Sequence, residues 1–217
     1  MTTATERPDT SDMIGVHRVF RSSLASAPQF VASAAGDDER RELIANYYAN
    51  LMAFLAVHHE GEEAIVFPRL LERAPAERAV VEEGEADHAA VVGLMAASTA
   101  AVVAWPQQGD AGGDEVLRCL AELESTLCPH LDREETKILP LAGEHLSAEE
   151  WGTLPGHALG NFSGDKVWLI MGLIRENFTQ KQRDSMLEHM PPPARQMWDT
   201  MGESSFQALI AEVRRDS

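Results

Sequence analysis

The sequence has little positive charge, few cysteines and no apolar leader, and each shortage disfavours a class of protein. The formal net charge is −17 over 217 residues, which disfavours nucleic acid or an anionic membrane surface as a partner. The N-terminal residues contain no basic segment followed by an apolar run, so no secretory signal is predicted. The two cysteines, Cys119 and Cys128, lie ~13 Å apart along one predicted helix and on opposite faces, so they cannot pair within the chain. We therefore expect a protein of the reducing cytoplasm without a nucleic-acid partner.

The alternation of polar and apolar residues that is typical of strands is also absent. Apolar residues instead recur about every 3.6 positions, which predicts an all-α fold. The sequence leaves open whether its last third forms a separate cap or packs along the rest. The predicted segments are a disordered lead-in (1–10), a four-helix domain (11–145, with helices at 11–36, 37–73, 76–104 and 114–142 and a loop at 106–113) and a C-terminal helical extension (146–217).

One uncharged run, Ala89–Trp105, is 17 residues long. A membrane-spanning helix needs about 20 mostly apolar residues. The run is shorter than this and contains Gly93, Ser98 and Thr99. It is therefore predicted to be a buried helix of the domain, and no membrane partner is expected.

Two stretches of the chain carry the same motif, a histidine followed by a glutamate four residues later and a proline ten residues later. A further histidine precedes each copy, 41 residues ahead in the first and 42 residues ahead in the second. The two sets are His17, His58, Glu62 and Pro68, and His88, His130, Glu134 and Pro140. The domain is therefore interpreted as a duplicated half, and each half supplies two histidines and one glutamate.

The histidines and glutamates of both motifs fall on the apolar stripes of their helices. These stripes are Leu51, Leu55, His58, Glu62 and Ile65 on the second helix, and Leu120, Leu123, Leu127, His130, Glu134, Ile138 and Leu141 on the fourth. His17 and His88 lie on the stripes of the first and third helices. A buried carboxylate without a partner costs several kcal/mol, and no Lys or Arg neighbours these glutamates on the stripes. One inward histidine would be an ordinary core residue, but four together with two glutamates predict a metal site.

The ligand types narrow the choice of metal. Imidazole and carboxylate without thiolate suit iron, manganese or zinc. The two-fold repeat predicts two metal ions, one held mainly by each half, with Glu62 and Glu134 as bridges. Each ion then keeps open positions for water, dioxygen or peroxide.

With these residues, the chain from about 12 to 145 resembles the hemerythrin-like proteins, also called HHE cation-binding proteins. The resemblance implies an up-down four-helix bundle with a non-haem di-iron centre in its core. The metal ligands that it implies are His17, His58, Glu62, His88, His130 and Glu134. The ferritin-like di-iron proteins use Glu-x-x-His on two helices, and here that pattern occurs once, at Glu85–His88.

The chain departs from the oxygen-carrying hemerythrins at two positions. Val92 stands four residues after His88, where they have a histidine. They also have an aspartate five residues after the histidine of the fourth helix, where this chain has Glu134 at four and Glu135 at five. One ion therefore lacks a histidine, which disfavours a reversible oxygen carrier. The replacement ligand is left open between water, His59 and Glu63, and the last two, which fall off the stripe, are interpreted as lying outside the ligand set.

Three functions are compatible with these residues, and the first is favoured. It is a di-iron protein that binds or turns over dioxygen, peroxide or nitric oxide in redox protection or sensing, with Glu63 or Glu135 as a proton shuttle. The second is an iron- or oxygen-sensing module without turnover, whose C-terminal extension relays the state of the domain to a partner. The third is a bundle without functional metal, which requires His58→Ala and Glu62→Ala to be neutral or stabilising.

Overall fold

The computed structural model describes residues 6–160, 162 and 165–215. Within these ranges the chain is helical with short connections and contains no strand, which confirms the predicted all-α fold. Residues 1–5 of the predicted lead-in lie outside the described residues. The end of the lead-in contacts the start of the extension, where the Glu6 carbonyl accepts a 2.9 Å hydrogen bond from the Ala148 N–H.

The first half begins with two short helices in place of the predicted helix over residues 11–36. They meet at Ser26, because Pro28 has no N–H to donate and its ring clashes with a preceding turn, although proline is tolerated in the first turn of a new helix. At the next helix start, the Asp37 side chain accepts a 2.9 Å hydrogen bond from the Arg40 N–H. The elements are α1 (Ser11–Ala25), α2 (Ala27–Ser33), α3 (Asp38–Gly61), a π-helix (Glu62–Val66) and α4 (Phe67–Arg73).

The elements of the second half are a 3-10 turn (Pro75–Glu77), α5 (Arg78–Gln108), a 3-10 segment (Gly109–Gly112), α6 (Gly113–Arg133), a π-helix (Glu134–Ile138) and α7 (Leu139–His145). The predicted loop over residues 106–113 is wrong. Helix α5 continues through Pro106, since the buried Trp105 anchors its last turn in the core. Gly109, with φ 63°, then ends the helix, and the 3-10 segment leads directly into α6.

Each copy of the repeated motif contains a π-helix that begins at the motif's glutamate. In each, the residue before the motif's proline donates its N–H to the glutamate carbonyl five residues back. The pairs are Phe67 with Glu62, and Leu139 with Glu134. The proline itself has no N–H for the usual bond to the residue four back, so the helix takes the wider turn.

The wider turn changes which side chains face the core beyond each glutamate. Val66 is buried where the sequence predicts Ile65, and Ala142 is buried where it predicts Leu141. Both Ile65 and Leu141 are half-buried, so the predicted stripe is wrong at these two positions. One added residue rotates the following helix by about 100°, because an α-helix has 3.6 residues per turn.

The long helical segments of the two halves surround a common interior. Helix α5 packs against α3 and α6, and α1 also packs against α3 and α6. One apolar cluster includes Phe20, Leu24, Leu51, Leu55, Leu123 and Leu127. A second includes Phe67, Leu70, Val81 and Ile138. On α3 and α6 the motif residues come between these two clusters, so the polar site is enclosed by apolar side chains at both ends.

The C-terminal extension packs along the domain. Helix α10 contacts α1 and α3, α9 contacts α3, and α13 contacts α10 and α3. Trp168 and Ile170 belong to the same apolar cluster as Phe20, so the extension and the domain share a core. The capping box of Ser147 and Glu150 begins this region. Its elements are α8 (Ala148–Trp151), α9 (Leu154–Gly160), α10 (Asp165–Asn177), α11 (Gln180–His189), α12 (Pro192–Met197), a π-helix (Trp198–Gly202) and α13 (Glu203–Arg214).

The uncharged run on α5 is buried on one face only, so the prediction of a buried helix is wrong for the other face. Val92 and Val103 are 58% and 62% exposed, because the extension packs on α1 and α3 and leaves the outer side of α5 uncovered. By length and composition, one helical stretch within Pro75–His145 is apolar enough to cross a membrane, and 22% of that window is buried. Length and composition alone do not distinguish such a span from a helix packed in a bundle.

Candidate metal centre

All six predicted ligands converge in the interior, and His59 joins them. Each of these seven residues is at most 6% exposed. They form two groups, and within each group the candidate ligand atoms lie within 4.8 Å of one another. The groups are His59, His88 and His130, and His17, His58, Glu62 and Glu134. This arrangement can hold metal ions, although the role of each residue as a ligand stays a prediction.

Glu134 lies between the two groups. Its Oε1 is 3.3 Å from His130 Nε2 and 3.4 Å from His88 Nε2. Its Oε2 is 3.5 Å from His17 Nε2, in the other group. The two oxygens of one carboxylate thus face different groups.

Glu62 also lies between the two groups, but it contacts both of them with one oxygen. Its Oε2 is 3.5 Å from His58 Nε2 in its own group and 3.5 Å from His88 Nε2 in the other. Both motif glutamates therefore adjoin histidines of both groups, which is the placement expected of bridging carboxylates.

Several buried atoms of the site have no hydrogen-bond partner within the described part of the chain. They are Nε2 of His17 and His58, both ring nitrogens of His59 and His130, and Oε2 of Glu62 and Glu134. An unpaired buried polar atom costs about 1–3 kcal/mol, so a set of this size needs a partner. Imidazole nitrogens and carboxylate oxygens directed at one place are the donor set of a first-row divalent metal ion, and the residues present fit such a group.

Burial keeps most of the imidazoles neutral. It lowers the pKa of His59 to about 2, and His88 and His130 add to this shift. Burial, together with the neighbouring histidines, also holds the pKa of His58 well below its usual value. Burial lowers the pKa of His130 as well. The neutral imidazole is the form that binds metal.

His88 is the exception. Burial alone would lower its pKa, but the hydrogen bond to Glu134 and the Glu62 carboxylate, 3.5 Å from His88 Nε2, together outweigh burial and raise the pKa to about 10. The pKa of Glu134 is raised by burial and by the nearby Glu62 carboxylate. In the metal-free protein, a proton on His88 therefore stands between the two glutamates and partly compensates their charge.

The residue after each motif glutamate holds a histidine of another helix. Glu63 Oε1 accepts a 3.1 Å hydrogen bond from His88 Nδ1, and Glu135 Oε1 accepts a 3.0 Å hydrogen bond from His17 Nδ1. A carboxylate on Nδ1 fixes the tautomer and leaves Nε2 for a metal. Glu63, one of the candidates for the replacement ligand, thus lies behind His88 and adjoins its outer nitrogen.

Asp87 lies in the corresponding place behind His130, at ion-pair distance, and the sequence-based reasoning missed it. Its Oδ2 lies 3.5 Å from His130 Nδ1 and accepts a 2.8 Å hydrogen bond from Arg133 Nε. Glu135 is likewise paired with an arginine, at 3.2 Å from Arg21. The sequence position of Asp87, directly before His88, does not indicate this role, since its partner His130 is on another helix.

The prediction that His59 lies outside the ligand set rests on its position off the apolar stripe of α3. The structure buries it, since α5 flanks α3 on one side and α9 and α10 flank it on the other, so more than one stripe of α3 is covered. Its ring stacks on that of His88 with 4.1 Å between centroids. The adjacent pair His58-His59 is the available sequence signal.

His59 also breaks the equivalence of the two halves. The position that follows the motif histidine in the second half is Leu131, which is fully buried. The all-histidine group thus combines one residue of the first half, His59, with His88 and His130 of the second. The other group takes three of its four residues from the first half and Glu134 from the second.

Comparison with known proteins gives one result, from protein families. No curated protein and no solved structure matches the chain significantly. Residues 9–142, more than half of the chain, match the hemerythrin HHE cation-binding domain. This match covers all seven residues of the site, and the chain belongs to the hemerythrin HHE cation-binding family.

Proposed function

We propose that the protein is a non-haem di-iron protein that binds or reacts with dioxygen, peroxide or nitric oxide, in redox protection or sensing. The observation that carries this proposal is the pair of residue groups joined by Glu62 and Glu134, with unpaired nitrogen and oxygen atoms directed inward. Iron bound there would supply the one-electron steps that the chemistry of these small ligands needs. Manganese and zinc suit the same donor atoms.

Each side chain then has a defined task. His59, His88 and His130 would hold one ion, and His17 and His58 the other, with the two glutamates shared. Glu63 and Glu135, which orient His88 and His17, can also exchange protons with solvent, because their side chains are 53% and 24% exposed. A proton held at Glu135 Oε1 lies between solvent and His17 Nδ1, which supports Glu135 as a proton relay.

We also infer that the four long segments form an up-down bundle in a cytoplasmic protein. Short connections join successive segments, and the first segment contacts the fourth. Both cysteines are free, in keeping with a reducing compartment. The apolar window of α5 belongs to a helix that turns His88 inward and packs on α3 and α6, which supports an interpretation without a membrane. The net charge of −17 supports the absence of a nucleic-acid partner.

The metal content of protein produced with iron tests the proposal directly. We expect about two irons per chain, and an ultraviolet–visible spectrum that changes on adding hydrogen peroxide or nitric oxide. Glu62→Gln should reduce the iron content, whereas Glu60→Gln on the exposed side of the same helix should not. A single zinc ion, or no metal with an unresponsive spectrum, would refute the di-iron function.

A sensing function without turnover is the second candidate, and the contacts of the extension favour it. A Cβ on Gly15, two residues before His17, would lie 2.5 Å from Phe178 Cδ1. A Cβ on Gly61, next to Glu62, would lie 3.3 Å from Leu154 Cδ2. The extension thus packs closely on α1 and α3 beside the site, where a change in metal content can alter its docking.

Hydrogen exchange separates the two candidates. A sensor predicts that chelating the metal increases exchange in residues 165–215, while peroxide and nitric oxide are not consumed. Turnover with unchanged exchange in the extension would favour the enzyme.

A further inference from the structure

A narrow cleft between α5 and the fourth helical segment leads from the surface to the site. At its mouth lie Glu83 and Lys137, whose side chains are 49% and 46% exposed. At its inner end lie His130 and Glu134, each 1% exposed. The volume open to the centre of a water-sized sphere is about 10 Å³, which is room for roughly one water molecule.

The inner end of the cleft presents unpartnered polar atoms. Both ring nitrogens of His130 are buried and lack hydrogen-bond partners among the described residues. Glu134 Oε1 lies beside them, 3.3 Å from His130 Nε2. A small molecule that enters the cleft therefore reaches atoms that need a partner, at the all-histidine group of the site.

Two other parts of the described surface lie near the site. Helices α9 and α10 cover the side formed by α1 and α3. A larger groove of about 310 Å³ runs beside Thr10 and reaches Glu135, but none of the seven site residues lines it. The cleft beside α5 thus leads more directly to the metal-facing atoms.

We propose that this cleft is the entry route for the ligand of the site, and that it admits only slender molecules, whose width is close to that of one water molecule. This inference rests on the proposed function and adds a size limit to it. The Lys137 Nζ is 3.1 Å from Glu83 Oε2, so this exposed ion pair spans the mouth. Dioxygen, nitric oxide, hydrogen peroxide and azide are within the limit, whereas ring compounds are not.

Gly84 lines the cleft. A Cβ at this position would lie 3.4 Å from Phe67 Cζ and 3.9 Å from Ile138 Cδ1, which is ordinary contact. An alanine methyl therefore fits, but it takes up space in the cleft, and valine takes up more. Gly93 lies on the same helix, and a Cβ there would meet no side chain within 4 Å, so Gly93→Val is a matched control.

The test is the kinetics of azide binding to the iron-loaded protein, followed by stopped-flow absorbance, with iron content measured for every variant. Gly84→Val should lower the association and dissociation rates together by about tenfold, equivalent to about 1.4 kcal/mol at the barrier. The Kd should stay unchanged, because a narrower route affects entry and exit equally. Gly93→Val should bind azide at the wild-type rates.

Three further measurements test the route and the size limit. If Gly84→Val loses iron, Gly84→Ala replaces it and should slow both rates by a smaller factor with the same Kd. Glu83→Gln, which breaks the ion pair at the mouth, should speed both rates. Imidazole, a five-membered ring that also binds iron, should bind wild-type protein far more slowly than azide.

Different results would refute the route, the size limit and the proposed function. Wild-type rates in an iron-loaded Gly84→Val protein would refute the route, and imidazole binding as fast as azide would refute the size limit, while the di-iron function stands in both cases. Iron-loaded wild-type protein that binds neither azide nor nitric oxide would refute the proposed function, and the route with it.

Discussion

Replacing His59 by leucine tests whether His59 is a metal ligand or an ordinary core histidine. Both ring nitrogens of His59 are buried and unpaired among the described residues. Because an unpaired buried polar group costs about 1–3 kcal/mol, the metal-free His59→Leu protein should be more stable than wild type by an amount in this range. The gain is reduced by the loss of the stacking contact with His88, whose ring centroid is 4.1 Å away.

The pH dependence of the protein's stability is a second test of the role of His59. The pKa of His59 is about 2 in the folded protein, against a usual value of 6.5. Below pH 6.5 the unfolded chain binds a proton at His59 that the folded chain does not, so this residue makes stability fall by about 1.4 kcal/mol per pH unit as the pH decreases. The metal-free His59→Leu protein should lose stability less steeply between pH 6.5 and pH 5.

Metal should stabilise the His59→Leu protein less than it stabilises the wild type. If His59 binds an ion, its removal weakens metal affinity, and every tenfold loss removes about 1.4 kcal/mol of the stabilisation that metal provides. Urea unfolding with chelator and with saturating iron under anaerobic conditions measures both quantities. The exposed His189→Leu is the control for replacing a histidine.

The refuting result is equally specific. If metal-free His59→Leu is less stable than wild type and gains the same stability from iron, then His59 is a structural residue. The all-histidine group would then be reduced to His88 and His130.

Three further predictions concern the surroundings of the site. Glu135→Gln removes the charge that orients His17 and should weaken metal binding by about 10- to 100-fold, measured by competition with a chelator, and unchanged affinity would exclude this role. Metal binding at pH 8 should release about one proton, because the pKa of His88 in the metal-free protein is about 10. Calorimetry in buffers of different ionisation enthalpy measures this proton, and heats independent of the buffer would contradict it. Gly15→Ala should destabilise the protein by about 1–3 kcal/mol in urea unfolding, since its Cβ would lie 2.5 Å from Phe178 Cδ1, and a wild-type value would show that the extension adjusts without cost.

Much of the site could be predicted from the sequence because its signals are local. Histidine and glutamate four residues apart share a helical face, and the interior excludes an unpaired carboxylate, so His58 and Glu62 had to be compensated. The all-α fold follows from the same periodicity. These inferences need a continuous helix and nothing else.

The failures have physical causes outside that local information. A π-helix follows each of Glu62 and Glu134 and shifts the helical phase by one residue, so an uninterrupted period of 3.6 misplaces Ile65 and Leu141. The cause, a proline ten residues after the histidine, was visible in the motif, but its effect on the hydrogen bonds was not predicted. The burial of His59 depends on helices from distant parts of the chain, which no local pattern reports.

The difference between His59 and Leu131 has a consequence for how the site fills. The two halves carry matching motifs, yet one group of donors contains the His59 imidazole where the other half has the hydrocarbon side chain of Leu131. The symmetry of the sequence is therefore broken at the centre, and two bound ions would differ in affinity and in reduction potential. We expect the two ions to bind in order, with a stable form that holds a single ion. We also expect the two positions to accept two different metals.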